Sequence, residues 1–216
     1  MVNWNNIDRV FLDMDGTLLD LNFDNYFWQE HVPQRYAEAN HLDVDAAKHA
    51  LFGLYREAEG TINWYCVDYW TDRLGLNIPL LKQEVDHLIA VHPFVVPFLD
   101  RVRALDKQTV LVTNAHQKSL DLKMRRTQLG GHLDAIVCAH DFGAPKEDQS
   151  FWEQLQIQRP FDPARTLLID DSLPVLRAAR DYGITNLLAV FQPDTKRPPK
   201  DVEEFAAIRS FREITP

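Results

Sequence analysis

Apolar residues gather into short, strand-sized runs at residues 10–12, 109–112, 135–137, 166–169 and 186–190. Between the last four the spacing changes to a helix period: residues 118–129 are closed by Gly130-Gly131, residues 149–157 follow, and residues 173–182 are closed by Gly183. Runs that are apolar on both faces and separated by helices predict a parallel sheet covered on both sides. The expected fold class is α/β, built on a Rossmann-like parallel sheet.

One connection breaks this alternation. The gap between the first run and residue 109 is far longer than a single crossover helix needs. Within it, residues 23–39 and 44–58 carry helical patterns, and Ile62, Tyr65, Cys66, Tyr69, Trp70 and Leu74 fall at spacings of three and four, as on one face of a further helix. The segment reads as an all-helical domain inserted at about residues 20–92, leaving residues 1–19 and 93–216 to the sheet domain. Pro93 and Pro97 mark the return, with Pro97 in the first turn of the next helix. Nearly half of the aromatic residues lie between Phe23 and Trp70. Most are expected to fill the core of the small bundle, while one or two facing the sheet would suit stacking on a flat substrate group.

Composition narrows the function. At 216 residues, 45% hydrophobic and 25% charged, the chain is an ordinary globular protein. A net charge of -9 repels a phosphate polymer, so no nucleic-acid partner is expected. No apolar stretch approaches a membrane span, and no secretory pattern opens the chain, so a cytoplasmic protein is expected. Cys66 and Cys138 show no CxxC spacing, which argues against a zinc site or a disulfide framework. The eight histidines, His116 included, form no paired-ligand spacing and read as structural or solvated. Residues 195–200 read as a solvated, proline-rich linker before a last helix. Oligomeric state has no signature in the sequence.

Ligands of an open α/β sheet bind beyond the carboxyl ends of its strands. The first run ends in Asp13 and Asp15, which the alternation of a strand places on one side, with Gly16 to turn the chain. Later strand ends supply Thr113-Asn114, Pro145-Lys146-Glu147-Asp148 and Asp170-Asp171-Ser172. Each alone has a plain structural reading: a turn aspartate, a helix cap, a solvated lysine. Yet a cap explains only one of two adjacent, mutually repelling acids, and four polar ends on one sheet edge make one site.

In order and placement, Asp13-Met14-Asp15-Gly16-Thr17, Thr113-Asn114, Lys146 and Asp170-Asp171 resemble the four motifs of the haloacid dehalogenase-like (HAD) hydrolase superfamily. The helical insert resembles that superfamily's cap of the first type. Phe23-Asp24-Asn25-Tyr26-Phe27-Trp28, Asn63-Trp64-Tyr65-Cys66, Thr113-Asn114-Ala115-His116 and Pro145-Lys146-Glu147-Asp148-Gln149 resemble more closely the bacterial GMP/IMP 5′-nucleotidase branch. Proline precedes Lys146, whereas in the superfamily it often follows the lysine; that branch shares the arrangement.

The resemblance implies a phosphomonoesterase in which Asp13 attacks phosphorus and Asp15 protonates the leaving oxygen, then deprotonates water. Thr113, Asn114 and Lys146 would bind the phosphoryl group. Up to four carboxylates beside a phosphate dianion require a hard cation, and oxygen-only ligands indicate Mg²⁺. Asp13 and one or both of Asp170 and Asp171 would hold it by side chains and Asp15 by its backbone carbonyl, with Asp171 aligning best with the principal ligand. Phe23, Asn25, Tyr26 and Trp64 are candidate contacts to a purine, the partner being a small phosphomonoester such as GMP or IMP. Three alternatives compete. A generalist phosphatase for sugar phosphates or phosphoglycolate is disfavoured by the aromatic-rich insert, and a dehalogenase has no use for Asp15. A phospho-receiver switch module is disfavoured by the large insert and by Asp15.

Overall fold

The computed structural model describes residues 2–216. Six strands, β1 (Arg9–Leu12), β2 (Gln108–Thr113), β3 (Ala135–Cys138), β4 (Thr166–Asp170), β5 (Asn186–Val190) and β6 (Ala207–Ile208), form one sheet in the order β3-β2-β1-β4-β5-β6. Every pairing is parallel, and β1 is central, with Leu12 opposite Leu111 on one side and Ile169 on the other. The order of strands reverses direction at β1 and β4, so the crevice beyond their carboxyl ends is where a ligand site is expected.

Side chains alternate between two cores. Val10, Leu12, Leu111 and Ile169 face one layer, covered by α7 (Val95–Arg103) and α8 (Gln117–Thr127). Phe11, Val110, Val112 and Leu168 face the other, covered by α9 (Gln149–Gln158) and α10 (Leu173–Tyr182). The period of two along each strand divides the apolar residues between both faces, which is why the runs read as continuously apolar.

Between β1 and α7 the chain forms only helices: α1 (Asn22–Tyr26), a π-helical turn (Phe27–His31), α2 (Val32–Asn40), α3 (Val44–Ala58), α4 (Ile62–Tyr65), α5 (Val67–Leu74) and α6 (Ile78–Glu84), then a short 3-10 turn. Two adjacent segments carry the chain out and back. Leu19 bridges Val91 in antiparallel fashion, Asp20 N donates to Ala90 O at 2.9 Å, and His92 N donates to Leu18 O at 2.9 Å. The apolar stripe of this layer is continuous with the α7/α8 core of the sheet.

Three local expectations are corrected. The helix expected through residues 62–74 is two helices, broken at Cys66, whose extended backbone lets its sulfur cap α5 by accepting from Tyr69 N at 3.4 Å. Helix α8 ends at Gln128 in the left-handed region, φ 59°, and not at Gly130-Gly131; those glycines lie in a 3-10 turn that delivers Leu129 into the core. The last helix does not form. Phe205, Ile208, Phe211 and Ile214 repeat every three residues as on a helix, but Phe205 enters one core and the other three the opposite core. The chain satisfies both by adding β6 and a 3-10 turn (Phe211–Glu213).

Candidate active site

The carboxyl ends of β1, β2 and β4 open into a cavity of about 830 Å³ whose far wall is the helical layer. Asp13 and Asp15 follow β1, Thr113 closes β2, Asp170 closes β4, and Lys146 comes from the loop before α9; all line the cavity. A tight turn follows Asp15: Gly16 N donates to Leu19 O at 2.7 Å and Leu19 N to Met14 O at 2.8 Å. Gly16 has φ +86°, and a Cβ there would stand 2.7 Å from Asp171 Cγ. Only glycine allows both the left-handed backbone and the close approach of that carboxylate.

Lys146 is fully buried, and its ammonium donates to Asp13 Oδ1 at 2.6 Å, Asp170 Oδ2 at 2.7 Å and the Val112 carbonyl at 3.0 Å. Burial pulls its pKa down, but the two carboxylates outweigh that and raise it, so it stays charged. The loop is braced by Asn114, whose Oδ1 accepts from Lys146 N at 2.9 Å and whose Nδ2 donates to Glu147 Oε2 at 2.9 Å. Both ends of the Asn114 amide are thus engaged by protein, so its side chain shapes the Lys146 loop. The Thr113 hydroxyl accepts from Ala115 N at 3.0 Å, which leaves its proton to donate into the cavity.

Carboxylate oxygens of Asp13, Asp170 and Asp171 lie within 4.8 Å of one another. Burial raises the Asp13 pKa to about 6, with Lys146 opposing and Asp170 adding to the rise. Asp171 is pushed well above the usual range by burial and by Asp13 and Asp170, and its nearest cation is Lys200 at 3.8 Å. Three crowded, oxygen-only carboxylates with too little positive charge beside them fit a hard divalent cation. Asp170 already has its oxygens on Lys146 and on Ser172 N (2.9 Å), whereas Asp171 keeps its side chain clear of strong partners.

The second strand-end acid has a different environment. Lys123 from α8, 1% exposed, places its ammonium 2.6 Å from Asp15 Oδ1 as an ion pair. The same ammonium donates to Asp24 Oδ2 of α1 at 2.7 Å, and Lys82 of α6 reaches Asp24 Oδ1 at 3.1 Å. Burial first, and then Asp24, raise Asp15 to about 6 against the pull of Lys123. Burial also pushes Asp24 up, but its two lysines prevail and hold it below the usual carboxylate range.

The sequence matches the haloacid dehalogenase-like hydrolase family over residues 7–183. The chain belongs to that family. It is 39% identical to GMP/IMP nucleotidase YrfG of Escherichia coli (strain K12), over 100% of this chain and 97% of the relative. Among solved structures it is similar to a HAD phosphatase from Thermococcus onnurineus, with TM-score 0.79, 18% identity and 96% of each chain covered. It is also similar to L-2-haloacid dehalogenase from Xanthobacter autotrophicus, with TM-score 0.64, 12% identity and 97% of each chain covered. Phosphatase and dehalogenase thus share this fold, and the residues at the strand ends must decide the chemistry.

Of the four candidate purine contacts, Asn25 and Trp64 line the cavity, and Phe23 and Tyr26 do not. Phe23 is buried, stacked on Phe27 and capped by the ammonium groups of Lys82 and Lys123 at 5.0 and 5.2 Å from its centroid. Tyr26, one position beyond Asn25 on α1, is turned outward and stacks on His31. The cavity wall is instead Trp28, Tyr55, Trp64 and Trp70, packed edge-to-face or tilted with Tyr55 central: 5.1 Å to Trp70, 5.7 Å to Trp28 and 6.0 Å to Trp64. Sequence reasoning missed Lys123, Lys82, Asp24 and Tyr55. The one available signal was a lysine at position 123 on the buried face that Ser119, Leu120 and Leu122 share.

Helices and sheet layer meet through polar contacts around the rim. Tyr65 OH donates to Glu147 Oε1 at 2.7 Å, Asn25 Nδ2 to Asp194 Oδ2 at 2.7 Å, and Lys118 pairs with Asp68 at 2.6 Å. Among the described residues no helix is long and apolar enough to cross a membrane.

Proposed function

We propose that this HAD-family hydrolase is a Mg²⁺-dependent 5′-nucleotidase acting on purine monophosphates of the GMP and IMP type, in the cytoplasm. The observation that carries the reading is the pairing of Asp13 and Asp15 with a large, aromatic-walled cavity. A volume of about 830 Å³ lies within the range of small-molecule sites and accommodates a nucleoside beyond the phosphate. Full-length similarity to the E. coli GMP/IMP nucleotidase supports the same substrate class.

In this reading the Asp13 carboxylate attacks phosphorus, the bond from phosphorus to the ribose oxygen breaks, and the leaving oxygen takes the proton held by Asp15. Asp15 suits that task because burial and Asp24 lift it to about 6, near neutral operating pH. A water then attacks the phosphorus of the Asp13 acyl phosphate, gives its proton to Asp15, and releases orthophosphate and free Asp13. Lys146 and the Thr113 hydroxyl steady the phosphoryl oxygens, while Lys123 fixes where Asp15 points. When bound to Asp13, Asp170, Asp171 and the Asp15 carbonyl, Mg²⁺ supplies the positive charge that offsets phosphate against carboxylate. The helical layer excludes bulk water and reads the base, with Trp64 and Tyr55 offering ring surface.

The test is phosphate release from purine and pyrimidine nucleoside monophosphates, sugar phosphates and phosphoglycolate, with and without Mg²⁺. GMP and IMP are expected to give the highest kcat/KM, and Asp13→Asn to abolish multiple turnover. Equal rates on sugar phosphates and purine monophosphates would overturn the nucleotidase reading, and full turnover by Asp13→Asn would overturn the nucleophile.

A further inference from the structure

Beside the cavity, which His116 lines, Cys66, His116 and His140 each bring one ligand atom to within 4.8 Å of the others. They come from three elements: the break between α4 and α5, the residue capping α8, and the 3-10 turn after β3 (Ala139–Phe142). The two imidazoles lie edge to face with centroids 4.9 Å apart, and Asp68 Oδ2 stands 3.7 Å from His116 Nε2. His140 Nε2 is buried with no hydrogen-bond partner.

A buried imidazole nitrogen without a partner is costly unless something fills its lone pair. Burial, and then the neighbouring His116, hold His140 below its usual pKa and so favour the neutral ring. A neutral imidazole offers one ring nitrogen as a lone-pair donor, and Nε2, which has no protein partner, is the nitrogen free to take a metal. His116 has only long contacts to give up, Lys118 N at 3.3 Å and Asp68 at 3.7 Å.

We propose that Cys66, His116 and His140, with Asp68 as fourth ligand, form a second metal site of the zinc class that clamps the helical layer to the sheet layer. One thiolate and two imidazoles are a borderline-soft set that Mg²⁺ does not choose and Zn²⁺ does. A tetrahedral zinc ion needs ligand atoms about 3.3–3.6 Å apart, so side-chain rotations close the gap. Binding displaces the Cys66 thiol proton to solvent, and Asp68 must leave Lys118, which is half-exposed and free to swing away. Because Cys66 belongs to the helices and both histidines to the sheet layer, an occupied site resists their separation and slows exchange of substrate and product.

Co²⁺ titration in saturating Mg²⁺ reads the site directly, because thiolate ligation gives a charge-transfer absorption that carboxylate ligation does not. The expected result is one Co²⁺ with that absorption in the wild type, displaced by Zn²⁺, and its loss in both Cys66→Ser and His140→Gln. Serine preserves the cap of α5, so Cys66→Ser keeps the fold and the Mg²⁺-dependent turnover of an uninhibited enzyme. Zn²⁺ is expected to slow the wild type in saturating Mg²⁺ and to leave Cys66→Ser unaffected. No thiolate band, or a band that survives His140→Gln, overturns the site; equal inhibition of both proteins by Zn²⁺ overturns the clamp.

Discussion

The Lys123 ammonium stands 2.6 Å from a carboxylate oxygen of Asp15. It also holds Asp24, and Asp24 holds Lys82, so alternating charges run from the strand end at β1 through α8 into α1 and α6. The two lysines are buried and the two acids partly so, and each charge has an opposite one beside it, which is the condition under which burying it is tolerable. The position of the strand-end acid and the docking of the helices are consequently one electrostatic unit.

Lys123→Met keeps the length of the stem and removes the charge. Asp15 then faces Asp24 with only Lys82 left to offset the two acids, and loss of one partner of a buried pair costs about 3–5 kcal/mol. The expected outcome in denaturant unfolding is a loss of that order. Because Lys123 pulls the Asp15 pKa down, its removal raises that pKa further. The alkaline limb of the pH–kcat/KM profile should therefore move to higher pH, together with a lower kcat; an unmoved limb would show that Lys123 acts on folding alone.

Gly16→Ala places a Cβ against Asp171 at a φ that L-residues avoid. Asp171 must shift, so apparent Mg²⁺ affinity is expected to fall by at least about tenfold, with strain of about 1–3 kcal/mol. Measuring activity against Mg²⁺ concentration checks this, partial rescue at high Mg²⁺ being the expected signature.

Without divalent cation, the carboxyl groups set the pH dependence of stability. Asp13 and Asp15 are each raised to about 6 by burial, so the folded state holds their protons more tightly than the unfolded chain, where carboxyls titrate near 3.9. Their contribution is present below about pH 4 and is lost as pH rises through about 6. His116 and His140, held below their usual value by burial, work in the opposite direction. The clean observable is the difference in Tm between wild type and Asp13→Asn across pH 4–7, at about 2–4 °C per kcal/mol for a chain of this size. It should favour the variant increasingly as pH rises, and Mg²⁺ should shrink it.

Trp64→Ala removes ring surface from the cavity wall. A purine stacked there loses about 1–3 kcal/mol of binding, so KM for GMP should rise by about 5- to 150-fold. KM for ribose 5-phosphate, which has no base to stack, should hardly change. Parallel increases for both would mean that Trp64 supports the fold of the helices and not the base.

The strands β1 to β5, the helical insert and all four polar strand ends are legible in the sequence because each rests on local information. A run of β-branched and leucine residues needs no distant partner to be recognised, and a crossover longer than a helix requires an insertion. The errors arise where distant contacts override local pattern. Phe205, Ile208, Phe211 and Ile214 keep a helical spacing, yet the sheet edge draws Phe205 into one core and the others into the opposite core. Tyr26 and Asn25 are neighbours in sequence, and the helix turns one outward and the other into the cavity. Asn114 reads from its position as a phosphate ligand and does line the cavity, while the contacts of its amide to Lys146 N and Glu147, thirty-odd residues away, have no local signal.

The sequence by itself determined the candidate site: two acids one residue apart at a strand end, with threonine, lysine and a further acid pair at later strand ends, share one sheet edge through a spacing that parallel pairing preserves. Only the tertiary structure decided what surrounds Asp15 and what lines the cavity. Lys123, Asp24 and Lys82 are brought together from α8, α1 and α6, and Cys66 meets His116 and His140 from three separate segments. Charge pairing and metal-ligand geometry depend on distances of a few ångströms between side chains far apart along the chain. Those distances are set by helix packing, which leaves no periodic trace in the sequence.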